Sequence, residues 1–75
     1  MSRIKIDLSR MLCPMPVIKT QNQVNRMLSG QELEITCTDP GALNDIPVWA
    51  RINGHQILAA NQTDDEVIIT LKVGG

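Results

Sequence analysis

The chain has 75 residues, enough for one small domain built on one core. Seven basic residues against eight acidic ones give a formal net charge of -1, which supplies no broad cationic field for a phosphate backbone. A single tryptophan, with no phenylalanine or tyrosine, also removes the usual stacking platforms for bases, so composition argues against direct nucleic-acid binding.

Apolar runs are only a few residues long, too short to cross a bilayer, and Met1-Ser2-Arg3 leads into a strand pattern rather than a signal peptide. The expectation is a cytoplasmic protein that does not contact membrane. In that first pattern Ile4, Ile6 and Leu8 alternate with Arg3, Lys5 and Asp7, the period-two signature of a half-buried strand. From Met15 the apolar positions Val17, Ile18, Val24, Met27 and Leu28 fall at spacings of three, four and seven, with Thr20 and Gln21 filling the turn between, which predicts a helix stopped by Gly30. Leu33, Ile35 and Cys37 then alternate with Glu32, Glu34, Thr36 and Thr38 as a second strand whose inward row includes Cys37.

Thr38-Asp39-Pro40-Gly41 reads as a turn, and Leu43, Ile46, Trp49, Ala50 and Ile52 as a second helix ending at Asn53-Gly54. Because proline is tolerated only in a first turn, Pro47 places the start of the regular helix near Asp45, capped by its carboxylate, after a looser turn. Gln56 to Asn61 and Glu66 to Val73 form a hairpin across Gln62-Thr63-Asp64-Asp65, with Val67, Ile69, Leu71 and Val73 inward. The order β-α-β-α-β-β predicts one domain over residues 1–75, a two-layer α/β sandwich with both helices on one face of a four-stranded mixed sheet. Lys5, Glu34, Thr36, Thr70 and Lys72 then line the wet face, with Leu58 and Ile68 as an apolar spot among them.

The residues richest in chemistry are Cys13-Pro14-Met15-Pro16, at the opening of the first helix. A thiol there meets free amide hydrogens and the positive end of the helix dipole, which favours charge on sulfur. The dipole is worth about 0.3–1 kcal/mol, up to roughly 2, enough to move a thiol from about 8.5 toward roughly 7–8. That is mild activation, suited to relay more than to hydrolysis. Pro14 at the first helical position and Pro16 in the first turn stiffen this mount without breaking helical bonds. Met11, Leu12 and Met15 form a soft apolar collar of the kind used for docking, and Arg10 and Lys19 add positive charge. The competing reading is an inert buried cysteine with a collar that is simply core.

Other reactive residue types have plainer readings. Cys37 lies 24 residues from Cys13, neither a redox pair nor half a zinc site, and the lone His55 completes no ligand set, so no metal or other cofactor is expected. His55 reads as an exposed loop residue, Trp49 as a core anchor, and Asp39 and Asp45 as turn and cap residues.

Cys13-Pro14-Met15-Pro16 preceded by Asp7, then Thr38-Asp39-Pro40-Gly41-Ala42 and Asp45-Ile46-Pro47, resemble the TusA/SirA-like sulfur carrier family over nearly the full chain. The resemblance implies a two-layer sandwich and a cysteine, here Cys13, that accepts persulfide sulfur from a cysteine desulfurase or rhodanese-like donor. It then hands the sulfur to a downstream acceptor protein, as a carrier rather than a stand-alone enzyme. Destinations in the family include 2-thiouridine in tRNA, molybdenum cofactor synthesis and sulfur oxidation. One departure is that Arg10 stands where the family commonly has glycine, with Met11 in a leucine slot. Two other readings stay open on the residues alone: a non-catalytic regulatory or protein-interaction module of the same fold, and a redox sensor using Cys37 as resolving thiol.

Overall fold

Apolar alternation and helical spacing assemble into β1 (Arg3–Leu8), α1 (Met15–Val24), β2 (Glu32–Cys37), α2 (Ala42–Ile52), β3 (Gln56–Gln62) and β4 (Val67–Lys72). The computed structural model describes residues 3–12 and 14–74. The four strands form one mixed sheet in the order β1-β2-β4-β3, with β1 parallel to β2 and both other pairings antiparallel. Its inward rows are Leu33, Ile35 and Cys37 on β2 and Val67, Ile69 and Leu71 on β4, none more than 1% exposed. Ile46 and Ala50 of α2 and Pro16, Thr20 and Val24 of α1 are buried with them. A fully buried aliphatic side chain is worth about 1.5–3 kcal/mol, so the central strands carry the stability and the edges β1 and β3 add less. On the open face Arg3 reaches Glu32 at 2.7 Å and Glu34 at 3.7 Å, exposed pairs that keep the β1 edge charged.

Five details differ from the sequence-based expectation. α1 stops at Val24, because Arg26 and Met27 donate three residues back to Gln23 and Val24 (3.0 and 2.9 Å), a tight turn that folds Met27 into the core. Gly30, at φ 92°, is not the cap of α1; its amide donates to Val73 O at 2.8 Å, tying the loop to the end of the sheet. The phase of α1 is also rotated: Pro16, Thr20 and Val24 face inward, whereas Ile18 is 43% exposed.

α2 begins at Ala42, three residues before Asp45, and holds Pro47 inside it. Its opening turn bonds three residues back (Ala42 to Asp39, Leu43 to Pro40, Asn44 to Gly41), with Asp45 the first to bond four back, to Gly41 at 2.9 Å. The looser turn foreseen before Asp45 is thus the helix's own first turn. The far end closes as expected: Gly54 (φ 81°) donates to Arg51 O and His55 to Ala50 O, the left-handed terminus that glycine permits. On the open face Thr70 is only 6% exposed, because β4 is an interior strand with neighbours on both sides. Leu58 is the extra residue of a bulge between Ile57 and Ala59.

Candidate functional site

Because β1 and β2 are parallel neighbours with Leu8 opposite Cys37, the segments that leave their carboxyl ends emerge side by side. One is the approach to Cys13, the other the Thr38–Gly41 turn into α2. They are stitched together by the Arg10 amide, which donates to Thr38 Oγ1 at 2.8 Å, while the Met11 amide donates to Leu8 O at 3.3 Å. Ser9 folds back on β1, its hydroxyl and its amide both donating to Asp7 Oδ1, and these bonds hold the Asp7 carboxyl below its usual range. To make both connections Arg10 adopts φ 69°, the one positive φ outside glycine among the described residues.

Both helices start at this end of the sheet, so the positive ends of two dipoles lie there. α2 answers its own with acid: Asp39 Oδ1 accepts from the Gly41 amide at 3.0 Å and Asp45 lies in its first turn. α1 has no acidic residue in its first turn, which leaves its terminus free to favour an anion. Pro14 is the N-cap rather than the first helical residue, and Pro16 takes the second helical position. The displacement follows from the backbone: Met15 donates to Leu12 O at 2.8 Å, joining the residues on either side of position 13, and Ile18 donates to Pro14 O at 3.2 Å as the first full helical turn. Neither proline breaks a bond, since amides in a first turn have no helical partner. Cys13 itself lies outside the described residues, and so does the expectation that its thiol meets the free amide hydrogens of this terminus.

Around that position Arg10, Pro14 and Lys19 are exposed, Leu12 is 75% exposed and Met15 39%, so the collar is largely at the surface. Met11 is the exception, half-buried against the core cluster, and its side chain serves packing. Ile18, read from sequence as core, instead lies one helical turn beyond Met15 and extends the exposed apolar strip. The four-residue spacing Pro16-Thr20-Val24 was the available signal for this phase, hidden because proline and threonine do not look like core residues.

Cys37 is fully buried, and its thiol is pushed up to about 11, first by desolvation and then by the charges of Asp39 and Asp7. It is a neutral core thiol, unsuited to resolving a disulfide. His55 is not a free loop residue: Nδ1 accepts the Gly74 amide at 3.0 Å and the ring rests 5.2 Å from that of Trp49. Among the described residues no group of three or more His, Cys, Asp or Glu side chains is placed to hold a metal ion, and no helix is long and apolar enough to cross a membrane.

Comparison with known proteins agrees with this architecture. Residues 4–73 match the family described as Sulfurtransferase TusA. YrkI of Bacillus subtilis is 41% identical over 64 residues, covering 85% of this chain and 83% of that protein. The sulfur carrier protein TusA of Allochromatium vinosum is 31% identical over 68 residues, covering 91% of this chain and 90% of that one. YrkF of Bacillus subtilis, 33% identical over 72 residues, is longer, and the match spans 96% of this chain but 39% of YrkF. Among solved structures, a SirA-like protein from Desulfitobacterium hafniense superposes with a TM-score of 0.83 at 20% identity, covering 96% of this chain and 99% of the other, which shows the shared fold.

Proposed function

This chain belongs to the TusA sulfurtransferase family and is a sulfur carrier, and from that membership we propose that Cys13 is the atom-bearing residue of the relay. In the loading step the Cys13 thiolate attacks the outer sulfur of a persulfide on a cysteine desulfurase or rhodanese-like donor. A new S–S bond forms on Cys13, the donor's S–S bond breaks, and the donor cysteine leaves as a thiolate. No external oxidant or reductant enters. Delivery repeats the exchange with a nucleophile on the acceptor protein, in tRNA thiolation, molybdenum cofactor synthesis or sulfur oxidation.

The observation that carries this reading is that Pro14 caps α1 and Pro16 holds its second position, with Cys13 the residue before them in sequence, in a chain whose other cysteine is sealed in the core. The helix terminus lacks a first-turn carboxylate, which supports an anionic sulfur, and Pro14 and the buried Pro16 fix the mount. Arg10, Leu12, Met15 and Lys19, together with Ile18, form the surface a donor or acceptor would meet. The same burial of Cys37 weighs against a two-thiol redox sensor. The test is intact-protein mass after incubation with a cysteine desulfurase and cysteine. One added sulfur is expected on the wild type and none on Cys13→Ala, and an unloaded wild type across several desulfurases and rhodaneses would falsify the proposal.

A further inference from the structure

Arg10 is held in a conformation its residue type disfavours. At φ 69° its Cβ crowds the backbone, a penalty that glycine in the same place would not carry. The loop imposes this angle from outside the side chain, through the Arg10 amide on Thr38 Oγ1 and the Met11 amide on Leu8 O. The guanidinium does not compensate within the fold: Arg10 is exposed and takes part in no ion pair among the described residues. The nearest acid in its own segment, Asp7, already accepts from Ser9. A strained backbone that carries an unpaired cation, three residues before Cys13 and two before the 75%-exposed Leu12, points to use of that cation by something outside the chain. The protein as a whole carries a formal charge of -1 and does not attract an acidic body at long range, so recognition of one depends on a local cation.

We infer that Arg10 is a partner-selecting residue, the cation that docks a carboxylate-bearing surface of the protein that loads Cys13, beside the apolar contact made by Leu12. This rests on the carrier reading. Arg10 acts on the encounter and not on the sulfur exchange itself, so its removal raises the KM for the donor protein and leaves kcat unchanged.

Three variants test it, with loading rates measured against a cysteine desulfurase that loads the wild type. Arg10→Gly relieves the backbone, and its melting temperature is expected to rise by about 2–4 °C while the KM for the donor rises roughly threefold to tenfold. Arg10→Lys keeps charge and strain and is expected to load nearly as well as wild type, whereas Arg10→Glu is expected to load worst. Added salt should raise the KM of the wild type more than that of Arg10→Gly, which keeps only Lys19 as a cation on this surface. Equal KM values for wild type, Arg10→Gly and Arg10→Glu overturn the docking role. A lower melting temperature for Arg10→Gly overturns the strain on which it is built. A wild type that no donor loads defeats the carrier reading first, so the two failures are told apart.

Discussion

Replacing Thr20 by valine is expected to stabilise the protein while leaving sulfur loading intact. Thr20 lies on the inward face of α1, fully buried, and its hydroxyl has no hydrogen-bond partner among the described residues. A hydroxyl taken out of water without a partner costs about 1–3 kcal/mol by mutational measure. Valine has nearly the same shape, puts a methyl where the hydroxyl was, and differs little from threonine in helix propensity, so neither a cavity nor a helical penalty offsets the gain. The net expectation is about 1–2 kcal/mol. Unfolding entropy of about 2.1 cal/mol/K per residue gives roughly 0.16 kcal/mol/K for a chain this long, so the melting temperature should rise by about 6–12 °C. Thermal and urea unfolding followed by circular dichroism and Trp49 fluorescence measure it, and Thr20→Ala, which removes the same hydroxyl but leaves a void, should not gain. A Thr20→Val protein no more stable than wild type would mean that the hydroxyl is satisfied after all, and that α1 is seated differently from the description above.

Other expectations follow from the same interior. Native protein at pH 8 should lose only one of its two thiols to an alkylating reagent, with Cys37 labelled only as denaturant is added, and rapid double labelling would contradict its burial. Because the Cys37 thiol is raised to about 11 in the fold and sits near 8.5 in the unfolded chain, the unfolded state sheds its proton first. The stability it contributes is intact below about pH 8.5 and is lost as pH rises toward 11, a slope that Cys37→Ala should flatten in urea titrations. Gly74→Ala should lower the melting temperature, since the new Cβ would lie 1.8 Å from Gly54 O, and amide exchange should speed up at Gly74 as its bond to His55 opens. Gly30→Ala has open space around it, so it should suffer only the backbone penalty of its φ of 92°, about 1 kcal/mol.

Strand rows were legible from the chain because alternation is a strict signal: Ile4-Ile6-Leu8, Leu33-Ile35-Cys37 and Val67-Ile69-Leu71 each fall on one face of the sheet. The helices were less legible where packing overrode residue type. Pro16 and Thr20 took core positions while Ile18 was left at the surface, and α2 starts three residues before Asp45 with Pro47 inside it. His55 was misread because its partner, the Gly74 amide, lies 19 residues away, beyond any local pattern. At the candidate site, sequence picked out the Cys-Pro-Met-Pro segment and the odd arginine before it. It did not reveal the left-handed backbone of Arg10, which arises from a bond to Thr38 made only when β1 and β2 lie side by side.

The surplus residue at Leu58 bears on solubility. β3 is an outer strand seven residues long, QILAANQ, without a charge or a proline to discourage an incoming chain from zipping onto it. The bulge coils that rim and interrupts the even spacing of its amides, so a stray strand finds only short stretches to match. The outer flank of the sheet is thereby kept from offering an even ladder to a second chain.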